Sequence, residues 1–346
     1  MIAKLLAAFR KDQPTGAATS RYVISTRSTG LGDRLICLGA AWVFARNTGR
    51  TLVADWRYSS YSIDPKRNAF PLCFEAPPDL AGVSFMGDDR VDRMRWPRPR
   101  HPERWNDDAL FATPRLRPSE AIFADRDAAV ALIRSGADVA ASTVVFDACV
   151  NDGLVSVKDS RTFLGALRPV AHVTAMAAAF RAQCLGAERV IGLHIRHGNG
   201  GRTGHHGSWQ SFDAAIARCY RAVCVAREHV GRDGVVLLCT DSVDVEVALR
   251  RVIPDLVCRP KMFRRSGQGE LQVWNHAHQV RDDALVEMLL LAGGEALIRY
   301  PPSSFFTFYA AVMGDWNGSI HDTVYDLQRS YDPADSLSPA LLMGDR

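Results

Sequence analysis

Residues 190–202, VIGLHIRHGNGGR, join an apolar run to a cluster of cationic and glycine residues. The run Val190–Ile195 predicts a buried strand. Arg196 and His197 follow it, and then come three glycines around Asn199. A plain turn needs one or two turn residues, whereas glycine-rich backbone beside an arginine can approach and bind an anion. The stretch is therefore either an unusually polar turn or an anion-binding loop.

Two further polar turns follow predicted strands in the same half of the chain, CTDS at 239–242 and YPPSS at 300–304. Ligands of parallel α/β sheets bind beyond the carboxyl ends of the strands, where loops meet helix N-termini. Ser303 and Ser304 can cap the helix predicted to follow them and also offer donors to a phosphate. With Asp241 of the CTDS turn, these groups predict a binding site for a nucleoside diphosphate, in which Gly198 and Asn199 belong to the phosphate loop.

The segment TGLGDRL at residues 29–35 carries a weaker signal of the same kind. Gly30 and Gly32 match the start of a dinucleotide-binding fingerprint, but Leu35 occupies the position of its third glycine. The segment also lacks the Lys-Ser/Thr ending of a P-loop. Glycines that only permit a tight turn explain the pattern at least as well as a ligand contact does.

Two patterns raise the question of a metal, and both favour a metal-free protein. The histidine group has no zinc-ligand spacing, and Arg196 within it would repel a cation. Asp125 and Asp127 form a DxD at the start of a predicted helix, where the helix dipole favours acidic residues without any metal. The histidines concerned are His194, His197, His205 and His206.

The first half of the chain begins with a strand–loop–helix–strand pattern. Residues 21–26 and 51–56 read as strands, and apolar spacing predicts a helix over Arg34–Asn47 that ends at Gly49. This is a βαβ unit with parallel strands. The second half alternates in the same way, with strands predicted at 189–195, 234–241, 255–259 and 296–300 and helices between them. The alternation predicts two Rossmann-like α/β domains.

The composition is that of a soluble globular protein, since 47% of the 346 residues are hydrophobic and 23% are charged. No apolar run approaches the ~20 residues of a membrane span, and the run Leu5–Phe9 is too short for a signal-peptide core. Eight scattered cysteines without a paired pattern fit a reducing cytoplasm. Basic clusters near 90–117 and 250–265 suit an anionic small molecule, a nucleic acid or a solvated surface.

Several segments together resemble one glycosyltransferase family: RYVISTRSTGLGDRL, TGRTLVADWR, HIRHGNG, LCTDS, RPKMF and IRYPPSSFF, in this order across residues 20–312. It is family 23, which contains rhizobial nodulation α-1,6-fucosyltransferases and the eukaryotic N-glycan core α-1,6-fucosyltransferases. The resemblance implies a GT-B fold, in which two Rossmann-like domains face each other across a cleft. It also implies GDP-fucose as the donor, no metal cofactor, and inversion at the anomeric carbon of fucose.

The same resemblance assigns roles to individual residues of the donor site. It implies that Arg196 holds the β-phosphate, that His194 lies near the guanine and that Ser304 binds phosphate. The aspartate that reads guanine in the family falls on Glu287, which adds one methylene. The eukaryotic members carry a second arginine where this chain has His197. We expect Arg196 and His197 to be the catalytic residues.

A general base that would deprotonate the acceptor remains unassigned at this point. Residues 201–202 are Gly-Arg, where members of the family have acidic residues or a Lys and a Glu. His205, His206 and Asp33 are candidates. Trp96 and Trp105, in an arginine- and proline-rich segment, are expected to stack on the sugar rings of an acceptor.

The sequence therefore predicts a cytoplasmic fucosyltransferase that acts from GDP-fucose on O6 of N-acetylglucosamine in a chitooligosaccharide or Nod-factor-like acceptor. It predicts no nucleic-acid partner and no membrane span. Another nucleotide-sugar transferase on this scaffold, or a nucleotide-sugar-binding protein without transfer activity, remain as alternatives. The predicted divisions are an N-terminal extension (1–20), an acceptor-side domain (21–184) and a donor-binding domain (185–346).

Overall fold

The computed structural model describes residues 20–27, 29–59, 61–112, 119–150, 154–186, 189–197, 212–261, 277–300 and 305–314. Their strands form two separate sheets. None of the helices in these ranges is both long enough and apolar enough to span a bilayer. Both sheets carry helices, so the predicted α/β fold of GT-B type is confirmed.

The first sheet has the strand order β3-β4-β2-β1-β6-β5 within the described residues. All neighbouring strands are parallel except β3 and β4, which form an antiparallel pair. The carboxyl ends of β1 and β2 therefore point to one edge, where the loop before the first helix begins. The strands are β1 Tyr22–Ser25, β2 Thr51–Ala54, β3 Asp79–Leu80, β4 Val83–Met86, β5 Arg100–His101 and β6 Thr143–Phe146.

The longest helix beside this sheet follows the glycine loop, as the βαβ pattern predicts. It ends at Gly49, whose φ of 67° is left-handed and whose N–H donates to the Ala45 carbonyl. Most of its side chains are buried because it lies between the sheet and other helices. The helices of this half are α1 Leu31–Thr48, α2 Ala109–Ala112, α3 Ser119–Ser135, α4 Val157–Ala166 and α5 Ala171–Phe180, and a π-helical turn extends α5 over Arg181–Leu185.

The second sheet is parallel throughout, in the order β10-β7-β8-β9. Its central strands β7 and β8 are almost wholly buried, which explains their continuous apolar runs. The elements are β7 Val190–Ile195, α6 Phe212–Val230, β8 Val235–Thr240, α7 Val243–Val252, β9 Val257–Cys258, α8 Ala277–Ala292, β10 Ala296–Tyr300 and α9 Phe305–Met313.

A close approach of helix to strand explains Gly192 in the middle of β7. A Cβ atom there would lie 2.8 Å from Leu291 Cδ2 of α8, which is inside van der Waals contact. Glycine lets α8 pack directly on the sheet, and α8 carries Glu287 toward the carboxyl end of β7. The close packing of Leu291 on Gly192 thus sets the position of Glu287, a candidate site residue.

Helices cross between the two halves of the chain. Helix α9 packs on α8 and also on α1 and α4 of the first half, and α5 packs on α8 of the second. Polar contacts accompany this packing: Arg181 Nη1 donates to the Gly293 carbonyl at 2.7 Å, and His172 Nε2 lies 3.4 Å from Asp282 Oδ2. A division at residue 184 separates the strands of the two sheets, but it does not separate their helices.

Candidate donor-binding site

Arg196 lies one residue beyond β7, on the side where the two sheets approach each other. Its backbone N–H donates to the Tyr300 carbonyl at the end of β10, at 2.8 Å. A Cβ atom on Gly30, in the glycine loop of the first sheet, would lie 4.0 Å from Arg196 Nη1. The backbone anchor and the glycine loop therefore hold this guanidinium between the two sheets.

His197 is tied to the adjacent strand through the CTDS turn. Its backbone N–H donates to Asp241 Oδ1 at 2.8 Å, and its Nδ1 lies 3.0 Å from Ser242 Oγ. The imidazole also packs against Phe212, with ring centroids 5.3 Å apart. These contacts fix the direction in which the predicted anion loop leaves the sheet. Asp241 Oδ2 is buried and has no hydrogen-bond partner in the described part of the chain.

His194, inside β7, is a buried and neutral imidazole. Burial, together with the positive charges of Arg196, Lys261 and Arg299, lowers its pKa to about 3. The ring stacks on Phe306, with centroids 4.9 Å apart, and shares a 2.6 Å hydrogen bond with the Thr307 hydroxyl. A neutral ring fixed by α9 offers a hydrogen-bonding edge without charge.

Glu287 of α8 is buried in an ion pair rather than exposed on the helix. Lys261 Nζ, just beyond β9, lies 2.5 Å from Glu287 Oε1, and a second pair joins Arg259 to Asp283. Burial raises the pKa of Glu287, and the Lys261 ammonium opposes that rise. For Lys261, burial acts to lower the pKa, but the Glu287 carboxylate outweighs it and the pKa is raised. Both groups are therefore positioned as a charged donor–acceptor pair.

The first sheet contributes the loop before α1. Gly30 is the N-cap residue of α1, and Gly32 is buried in its first turn. Asp33 is half-buried in the same turn, and its backbone carbonyl faces the Cys149 thiol. Tyr61 reaches this point from a loop after β2, and its hydroxyl accepts a hydrogen bond from the Leu31 N–H. Burial raises the pKa of that hydroxyl, whereas the charges of Arg34 and Arg196 oppose the rise.

The structure places both candidate acceptor tryptophans in the core, which corrects the expectation that they stack on sugars. Trp105 is 0% exposed and Trp96 is 3% exposed. The Trp96 indole N–H donates to Asp55 Oδ2 at 2.9 Å, and that of Trp105 donates to Asp125 Oδ2 at 3.2 Å. A ring without an open face cannot stack on a sugar.

The DxD acid Asp125 has a structural partner as well. The helix α3 begins at Ser119, so Asp125 lies inside the helix and not at its start. Its carboxylate pairs with the Arg104 guanidinium, with Nε 2.7 Å from Oδ1. Asp127 is exposed on the next turn. The two acids of the motif thus lie in different environments.

The remaining predicted site residues lie outside the described residues. They are Gly198, Asn199, His205, His206, Ser303 and Ser304. Of the predicted donor-site residues that are described, His194, Arg196, His197 and Asp241 lie together at the carboxyl ends of β7 and β8.

Three residues of this region carry no role in the sequence interpretation: Tyr61, Lys261 and Thr307. Lys261 follows β9 directly, so the rule that ligands bind at the carboxyl ends of parallel strands could have indicated it. Thr307 lies three residues after the predicted YPPSS phosphate turn, in the first turn of the helix that follows it. Tyr61 has no local signal, because its position depends on how the loop after β2 folds back.

Comparisons with known proteins give one consistent result. The family model described as Nodulation protein Z (NodZ) matches residues 19–327. Nodulation protein Z of Sinorhizobium fredii is 38% identical over 293 residues, 84% of this chain and 90% of that protein. The crystal structure of fucosyltransferase NodZ from Bradyrhizobium aligns with a TM-score of 0.72 at 34% identity, covering 84% of this chain and 92% of the other. A NodZ α-1,6-fucosyltransferase soaked with GDP-fucose aligns at 0.69 and 33% identity, over 85% and 92% of the chains.

Proposed function

Because the chain belongs to the nodulation protein Z family, we propose that it transfers fucose from GDP-fucose to O6 of an N-acetylglucosamine in a chitooligosaccharide. The observation that carries the proposal is the position of Arg196, which is anchored to the end of β10 and faces the glycine loop of the other sheet. A relative of similar fold was soaked with this donor.

Arg196 binds the diphosphate of the donor in this mechanism. As the bond from fucose to the β-phosphate breaks, negative charge grows on the phosphate oxygens, and a planar guanidinium can donate to two of them at once. His197 and Asp241 set the course of the loop that contains Gly198 and Asn199. Ser303 and Ser304 supply further donors to the same diphosphate from the start of α9.

The guanine base lies near His194 and Glu287 in the proposed complex. A carboxylate can accept hydrogen bonds from both N1–H and the 2-amino group of guanine, a pattern that adenine and uracil do not offer. Oε1 of Glu287 is bonded to Lys261, so its second oxygen is the natural acceptor for the base. The neutral His194 ring adds an uncharged edge against which the nucleoside can pack.

We also propose that the enzyme needs no metal ion and works in the cytoplasm. The cationic Arg196 supplies positive charge where a metal would otherwise neutralise the diphosphate. Asp125 of the DxD is bonded to Arg104. All eight cysteines, each within the described ranges, are free thiols, which suits a reducing compartment.

The test is transfer of fucose from GDP-fucose to chitin oligomers by the wild type and by Arg196→Lys. We expect transfer from GDP-fucose and not from UDP-sugars, and a fall in kcat of roughly 10²–10³ in Arg196→Lys, since one preorganised contact is lost. Arg90→Lys is the matched control, because Arg90 is 61% exposed and pairs only at the surface with Asp88. Retention of most turnover in Arg196→Lys, at unchanged melting temperature, would refute the proposed role.

A further inference from the structure

The side chain of Arg34, in the first turns of α1, is fully buried and only partly bonded. Its Nε donates to the Thr29 carbonyl at 2.7 Å, and its Cζ lies 5.3 Å from the Trp56 ring and 5.4 Å from the Tyr61 ring. Neither Nη1 nor Nη2 has a hydrogen-bond partner among the residues that the structure describes. Buried charged donors without acceptors cost free energy, so an anion bound at this position would stabilise the guanidinium.

Two other buried arginines beside the same sheet show the opposite behaviour. Arg50 donates to Asp138 and to the carbonyls of three or more residues around it. Arg100 donates to Asp108 and to the carbonyls of Trp96 and Trp105. Oxygen atoms thus surround Arg50 and Arg100, whereas Nη1 and Nη2 of Arg34 have no acceptor among the described residues.

The Thr29–Gly30 backbone connects the surroundings of Arg34 with those of Arg196 of the second sheet. Thr29, which accepts from Arg34, directly precedes Gly30, and Gly30 lies beside Arg196 Nη1. Gly30 is also the N-cap of the 18-residue helix α1, the end at which a helix dipole attracts anions. Arg34 of the first sheet and Arg196 of the second thus both lie beside the Thr29–Gly30 backbone at the start of α1, and both charges act on the Tyr61 hydroxyl.

We infer that Arg34 is a second diphosphate-binding residue, which binds a nucleoside diphosphate from the first sheet while Arg196 binds it from the second. This rests on the proposed function, which supplies the diphosphate. Both Nη groups are covered in the structure, so the neighbouring Thr29–Gly30 backbone must shift for contact. Burial lowers the pKa of Arg34 to about 10, which still leaves the group protonated at neutral pH.

The test compares the affinities of GDP and guanosine by titration calorimetry in Arg34→Gln and Arg34→Met. The glutamine keeps a donor for the Thr29 carbonyl, and the methionine keeps much of the packing against Trp56. We expect each variant to bind GDP about 10- to 100-fold more weakly, as loss of a charge-assisted hydrogen bond predicts, and to bind guanosine as the wild type does. Arg50→Met is the matched control, since it removes an equally buried arginine and should lower the melting temperature without changing the GDP-to-guanosine ratio.

The outcomes separate this inference from the proposed function. An unchanged ratio of GDP affinity to guanosine affinity in folded Arg34→Gln overturns the inference. It would show that water or another hydrogen-bond acceptor, and not the diphosphate, accepts from the Nη groups of Arg34. A wild type that binds GDP through Arg34 but transfers no fucose overturns the proposed function alone. A wild type that does not bind GDP overturns both.

Discussion

His194 should make the stability of the protein depend on pH in a way that can be calculated from its surroundings. Its pKa of about 3 in the folded state lies far below the ordinary value of 6.5. Between these values the unfolded chain binds a proton that the folded chain does not bind. A depressed pKa therefore gives stability that is present above pH 6.5 and is lost as the pH falls toward 3.

The size of the effect follows from the distance between the two pKa values. At pH 4.5 the solution is two pH units below the pKa of the unfolded imidazole, and the folded one is still neutral, so the wild type loses roughly 3 kcal/mol relative to pH 7 through this residue. His194→Gln can keep a hydrogen bond to the Thr307 hydroxyl. Between pH 7 and pH 4.5 it should lose less unfolding free energy than the wild type, by the amount that His194 contributes. Carboxylates contribute equally to the pH dependence of stability in both proteins, so the difference between the two proteins reports the contribution of His194.

The assay is urea unfolding at pH 7 and pH 4.5, followed by tryptophan fluorescence. The wild type, measured in the same two buffers, is the control. The same loss of unfolding free energy in His194→Gln as in the wild type would show that the site accepts an imidazolium. The account of a neutral ring between cations would then be refuted.

Three other predictions follow from the buried charges, the core and the cation-rich site. Lys261→Met leaves Glu287 as an unpaired buried carboxylate and should lower the free energy of unfolding by about 3–5 kcal/mol in a denaturant titration. A Lys261→Met/Glu287→Met double variant should recover most of that lost free energy. Equal losses of unfolding free energy in the single and double variants would argue against a coupled pair. Trp105→Ala should lower the free energy of unfolding by about 3–5 kcal/mol, but it should leave the acceptor KM unchanged in the protein that remains folded. A raised acceptor KM would indicate that Trp105 contacts the acceptor after all. Fucose transfer should persist in excess EDTA, and a loss that Mn²⁺ or Mg²⁺ restores would contradict the metal-free mechanism.

Part of the fold could be read from the sequence because local patterns report local structure. The helix over Arg34–Asn47, its end at Gly49 and the strand at 296–300 follow from apolar spacing and from backbone preference, and the structure contains them. The short strands β3 and β4 and helix α4 were not predicted, because they carry few residues of clear period. The start of α8 at Ala277 could not be read from the sequence, because its first residues are mostly polar.

The sequence also determined the chemistry of the donor loop. Arg196 beyond an apolar strand, among glycines, indicates an anion site whatever lies around it, because residue type and strand end are both local properties. The tryptophans Trp96 and Trp105 could not be assigned in this way. An aromatic residue in a proline-rich segment suits a core or a surface equally well, and only burial distinguishes the two.

Tertiary structure alone decided which charges meet. Lys261 and Glu287 are 26 residues apart and pair because the chain just beyond β9 lies against α8 in the folded protein. Arg196 and the glycine loop at Gly30 come from different sheets, and the packing of α9 on both α1 and α8 accompanies their approach. Periodicity records which side of an element is buried, but an ion pair depends on distances between elements that contact each other only in the folded chain.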